Sequence, residues 1–259
     1  MSEPVEGLVQ EQHGAVLLLR LNRPEARNAL TGAVINGIGA AVENAEADPQ
    51  IRAIVLIGTG DRAFCSGMDL RAFASGEKIG LDSGPGAAYA RLAKGETDIP
   101  VIGAANGTAI GGGLELLLGS DIIVASSAAK FGLPEVKRGL FPAGGGTNLG
   151  TRIPRAAALE LTLTGDLITA QRGYELGLIN QVVEPEGVQS AALAFAERIA
   201  ANAPLGLSAV KELVRLAQVD PARADERLGH WQSLVFSSDD AKEGAAAFVE
   251  KRAPVWQGR

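Results

Sequence analysis

Two glutamates framed by glycine clusters are the side chains in this sequence best suited to acid–base chemistry. Glu115 interrupts an apolar run, with Leu114 before it and Leu116-Leu117-Leu118 after it, just beyond Gly111-Gly112-Gly113. Glu135 follows Phe131-Gly132-Leu133-Pro134 and precedes a second cluster, Gly144-Gly145-Gly146. A carboxylate among leucines is unfavourable unless it is satisfied or used. Glu115 therefore has two readings: a first-turn residue favoured by the helix dipole, or a working acid–base group. Taken alone, Glu135 reads as a solvated glutamate beside Lys137 and Arg138. Successive glycines allow positive φ and close approach of backbone to a ligand. A strand, a glycine turn and a helix start can present N–H groups to an oxyanion; a tight turn is the plainer alternative.

Other chemistries find little support. His13 and His230 have no Cys or His partner at metal-ligand spacing, so no metal site is expected. Cys65 is the single cysteine and lacks a nearby His; it reads as a small buried hydrophobe. No P-loop, dinucleotide fingerprint or G-x-S-x-G elbow is present. No cofactor is expected.

The positioning elements follow from periodicity. Leu8–Leu19 reads as two strands joined at His13-Gly14, ended by Asn22-Arg23-Pro24. From Thr31, Val34, Ile35, Ile38 and Val42 recur at helical spacing until Asp48-Pro49. Ile51–Ile57, Val101–Ala105 and Ile122–Val124 are apolar runs, expected as buried strands. Gly80, Gly84, Pro85 and Gly86 are expected in a loop, with a helix following through Tyr89, Leu92 and Ala93. Leu114–Leu118 reads as helical, and Glu135 as lying on a loop that leaves a strand. Beyond about residue 185 only helices follow, with apolar stripes at Leu207, Val210, Val214 and Ala217 and at Leu228, Trp231 and Val235. The expectation is an α/β core with an all-helical tail, its stripes packing on the core or on another subunit.

With 259 residues, the chain is one large domain or one domain with a smaller appendage, ample for a buried core. Hydrophobic residues at 46% and charged residues at 21% argue against disorder. The 24 basic and 30 acidic residues give a net charge of −6, so no global attraction to nucleic acid or anionic membrane is expected. A start without an apolar run, no membrane-length segment and one cysteine point to a reducing, cytoplasmic setting.

The motifs in combination are far more specific than any one of them. Asn22-Arg23-Pro24-Glu25-Ala26-Arg27-Asn28-Ala29-Leu30 resembles the N-R-P-x-x-x-N-A-L loop of the crotonase (enoyl-CoA hydratase/isomerase) superfamily. Ala63-Phe64-Cys65-Ser66-Gly67-Met68-Asp69-Leu70 is similar to its A-F-C-A-G-x-D-L segment. Asn106-Gly107-Thr108-Ala109-Ile110-Gly111-Gly112-Gly113-Leu114-Glu115-Leu116 resembles its N-G-x-A-x-G-G-G-x-E-L. Phe131 to Glu135, with Pro142-Ala143-Gly144-Gly145-Gly146-Thr147, resembles its F-x-x-P-E…P-x-x-G-G-T. Further matches run through Leu163-Thr164-Gly165 and Gly177-Leu178-Ile179 to the tail, Ala247 to Pro254.

The resemblance implies a crotonase-like spiral of ββα units over residues 1–200 and a C-terminal all-helical trimerisation region over 201–259. It implies an acyl-CoA substrate, with CoA as part of that substrate, and a homo-trimer or hexamer. The backbone amides of Met68 and Gly112 would bind the thioester oxygen. Because these donors are main-chain, the Met68 side chain would only shape the acyl pocket. Glu115 would orient and deprotonate water, and Glu135 would protonate Cα, as in a hydratase. The cations expected near the CoA phosphates are Arg23, Arg27 and Lys251; Ala29, Ser66, Asp69, Leu70 and Gly111 are expected in the substrate site from the matched motifs. The same resemblance also admits an isomerase working with one carboxylate, another acyl-CoA enzyme such as a hydrolase, or a non-catalytic acyl-CoA-binding protein.

Overall fold

The computed structural model describes residues 5–69 and 80–259. A hairpin opens it: β1 (Leu8–His13) and β2 (Val16–Leu21) pair antiparallel across His13-Gly14. Parallel partners then add β3 (Ala53–Gly58), β5 (Val101–Ala105), β7 (Ile122–Ser126) and β10 (Gln181–Val183), in the order β1-β2-β3-β5-β7-β10. Both faces of this sheet are covered. Leu19, Leu21, Ile54 and Leu56 point into one core, with α1 (Gly32–Ala47), α2 (Gly84–Ala93) and α3 (Gly112–Leu118). Their neighbours Leu18, Val55 and Ile57 point into the other, beneath α7 (Val188–Ala200). That period of two explains why β3 and β5 read as continuous apolar runs. Val188, Ala192, Ala196 and Ala200 form the stripe by which α7 lies on the sheet.

The second sheet carries the chemistry. β4 (Ala63–Cys65), β6 (Thr108–Ile110) and β8 (Lys130–Gly132) run parallel, and β9 (Ile168–Thr169) closes the edge antiparallel. These strands are two or three residues long, too short for a readable period.

Glu135 lies in a 3-10 turn, Pro134–Arg138, where open loop was expected. The expected loop at Gly84-Pro85-Gly86 is instead the first turn of α2, because proline near the first helical position has a preset φ and needs no N–H partner. Thr31 caps α1 by accepting from the Val34 N–H, as the pattern of a threonine before an apolar period suggests.

Between the sheets and the tail lie α4 (Leu149–Arg152), α5 (Arg155–Thr164) and α6 (Ala170–Glu175). The tail itself is α8 (Pro204–Val219), α9 (Pro221–Ser237) and α10 (Asp239–Glu250). Leu216 and Trp231 are buried, whereas Val210, Val214, Phe236 and Phe248 face outward on the single chain. Among the described residues no helix is long and apolar enough to cross a membrane.

Candidate active site

Three parallel strands deliver their C-terminal ends to one place. β4 leads into Ser66-Gly67-Met68, β6 into Gly111-Gly112, and β8 into Pro134-Glu135. The first of these ends is held by a parallel bridge between Leu30 and Met68. The Leu30 N–H donates to the Gly67 carbonyl and the Asp69 N–H to the Leu30 carbonyl, each at 2.9 Å. Successive amides of extended chain alternate in direction. With the Asp69 amide turned toward Leu30, the Met68 amide therefore faces the other way.

That other side is the start of α3. A Cβ built on Gly112 would lie 3.5 Å from the Met68 nitrogen, and one built on Gly67 would lie 3.1 Å from the Gly112 nitrogen. Neither amide has an acceptor among the described residues. The triple glycine makes this approach possible. Gly111 has φ +57°, and a Cβ on Gly113 would run into the Cys65 carbonyl.

Both glutamates border this pair of amides. Glu115, in the first turn of α3, is buried, and its Oε1 accepts from the Gly144 and Gly146 amides at 2.8 and 3.0 Å. The second glycine cluster is thus a cradle for this carboxylate: a Cβ on Gly144 would stand 2.6 Å from Glu115 Oε2. Glu135 approaches from the end of β8, with Oε1 2.9 Å from where a Gly111 Cβ would be and Oε2 buried without a hydrogen-bond partner among the described residues.

Burial raises both carboxyls above the ordinary range. For Glu115, the two glycine amides pull back down and the charge of Glu135 adds a further upward push. For Glu135, its own backbone N–H and the Arg138 charge pull down. The arrangement offers two oxyanion donors with two acids beside them.

A consequence for stability follows for Glu135. Its raised folded-state value means the native protein binds more protons than the unfolded chain above the unfolded glutamate value of about 4.3. Stability is therefore fullest below that pH and declines as pH rises through the folded value. Glu135→Gln removes this titration, so the variant is expected to lose less Tm between pH 4 and pH 7 than the unaltered chain does, which calorimetry at the two pH values checks.

The remaining expected residues divide. Arg23 is not a free cation: its guanidinium donates to the Ala29 carbonyl at 2.8 Å and pairs with Asp69 at 3.2 Å. The motif's arginine and aspartate therefore brace two loops around the Met68 segment. Ala29 is buried. The Ser66 amide donates to the Arg27 carbonyl at 3.1 Å.

Arg27 is exposed and left-handed at φ +53°, at the rim of a cleft of about 260 Å³ that Arg62 also lines. Arg62 is a second cation there that the motifs did not single out. Leu70 lies outside the described residues. Lys251 is exposed at the left-handed C-cap of α10, and no contact among the described residues joins it to the site. The sequence also offered no sign that Gly144 and Gly146 hold Glu115, because the contact spans 29 and 31 residues.

Comparison with known proteins shows the family. The model of the family described as enoyl-CoA hydratase/isomerase matches residues 11–259. A carnitinyl-CoA dehydratase of Salmonella typhi is 38% identical over 261 aligned residues, covering 98% of this chain and 99% of the relative. The crystal structure of an enoyl-CoA hydratase from Mycobacterium tuberculosis H37Rv superposes with a TM-score of 0.90 at 41% identity, covering 98% and 99% of the two chains. A carnitinyl-CoA hydratase from Mycobacterium avium superposes with a TM-score of 0.76 at 42% identity and the same coverage.

Proposed function

The chain belongs to the enoyl-CoA hydratase/isomerase family, and from that premise we propose that it is an enoyl-CoA hydratase, adding water across the Cα=Cβ bond of a 2-enoyl-CoA. The observation that carries this reading is the pair of amides, Met68 and Gly112, without an acceptor among the described residues, flanked by the buried Glu115 and the half-buried Glu135. The thioester oxygen sits between the amides. Attack at Cβ moves an electron pair onto that oxygen, where fixed donors in a dry site stabilise it.

Glu115, steadied through Oε1 by the Gly144 and Gly146 amides, uses Oε2 to take a proton from water as the water oxygen bonds Cβ. Glu135, inclined to stay protonated by burial, gives its proton to Cα. The sum is one added water, and transfer of the proton from Glu115 back to Glu135 restores the site. The reverse sequence dehydrates a 3-hydroxyacyl-CoA, in keeping with relatives named as dehydratases. The CoA phosphates would be met by Arg27 and Arg62, two cations that line one cleft together with Asp61. The outward apolar face of α8–α10 fits assembly into a homo-trimer or hexamer.

The test is crotonyl-CoA in ¹⁸O-labelled water. Loss of enoyl absorbance with label at C3 is the expected result. Turnover of a 3-enoyl-CoA without oxygen incorporation would instead identify an isomerase, and acyl-CoA binding without turnover of either substrate a binding protein.

A further inference from the structure

We propose that Tyr89 is a further residue of this site, its phenol hydrogen-bonding the oxygen at C3 of the acyl group: the attacking water in hydration, the hydroxyl of a 3-hydroxyacyl-CoA in dehydration. The inference rests on the hydratase reading and adds a substrate contact outside the matched motifs. Helices α2 and α3 meet at their C-terminal ends, where the Leu92 carbonyl leaves no room for a Cβ on Gly119. The Ala93 carbonyl, in turn, would stand 3.1 Å from a Cβ on Gly145 in the loop that cradles Glu115. One turn back from that contact stand Tyr89 on α2 and Glu115 on α3.

Tyr89 is only 8% exposed. Burial raises its ionisation far above the ordinary phenol value, and neighbouring Cys65 and Glu115 push the same way. The hydroxyl therefore stays a proton donor at any working pH. It makes no hydrogen bond to another described residue, and it is not sealed in packing as Ser120 Oγ is. Buried phenols normally find a partner; an oxygen on C3 would supply one here.

The experiment compares the binding of 3-hydroxybutyryl-CoA, as each enantiomer, with that of butyryl-CoA, in the full chain and in Tyr89→Phe. Loss of one neutral hydrogen bond is expected to weaken one hydroxy ligand roughly 3- to 10-fold and leave butyryl-CoA unchanged. Equal weakening of hydroxy and plain ligands, or no change in any, overturns the proposal. Only a hydroxyl is removed, and an unchanged melting curve verifies the fold. A failure of the hydratase reading appears separately, as absent turnover of crotonyl-CoA by the unaltered chain.

Discussion

Glu115→Gln is expected to lower kcat for crotonyl-CoA hydration by ~10²–10⁴, with little change in the Kd of a saturated acyl-CoA. Glutamine preserves the volume of the side chain and a carbonyl oxygen that can still accept from the Gly144 and Gly146 amides, so the cradle survives while the base is lost. Glu135→Gln is expected to show a loss of similar size for a different reason. Its Oε2 has no hydrogen-bond partner among the described residues, and burial pushes its carboxyl toward the protonated form. The amide keeps the shape but cannot deliver a proton to Cα. If the two acids act on one transition state, the double variant will lose far less than the product of the single losses. Steady-state kinetics beside calorimetric titration checks all three variants. Undiminished turnover in either single variant would remove that residue from the mechanism.

The second large effect concerns a donor that has no side chain. Gly112→Pro replaces the N–H of the first residue of α3, a position where proline fits the helix. The nearest atoms to a Gly112 Cβ belong to Gly67, Leu30 and Met68 at 3.4–3.5 Å, ordinary contact distances, so a methyl there is tolerable. Removal of one oxyanion donor is expected to lower kcat by ~10²–10³. Gly112→Ala retains the N–H and serves as the control, with a loss expected to stay within about tenfold. Alanine tests bulk at Cβ alone, and because the proline ring puts Cδ where the N–H pointed, the Kd of a saturated acyl-CoA is measured for both variants: a kcat loss with Kd held identifies the lost donor.

Much of the frame was readable from pattern because its elements bury whole faces. The α1 period, the apolar runs of β3 and β5 and the helical tail all repeat often enough to show. The strands that build the site do not: β4, β6 and β8 have three residues each and are fixed by pairing with one another. The start of α2 was misread because glycine and proline ordinarily break helices, yet Pro85 sits in the first turn, where it is at ease.

At the site, the motifs named both glutamates and both amides, but not what orients them. The direction of the Met68 amide depends on its bridge with Leu30, distant in sequence. Arg23 is half-buried and pairs with Asp69, 46 residues away, a brace that the motif alone does not show. Tyr89 carries no motif at all; only the contact of α2 with α3 brings it beside Glu115.

The most direct measurement of the central claim is a crystal structure of this chain with a non-hydratable acyl-CoA such as acetoacetyl-CoA. The thioester oxygen is expected at roughly 2.7–3.1 Å from both the Met68 and Gly112 nitrogens, with the carboxyls of Glu115 and Glu135 against the neighbouring carbons. A thioester oxygen bonded to neither amide, or acyl carbons lying away from both carboxyls, would contradict it.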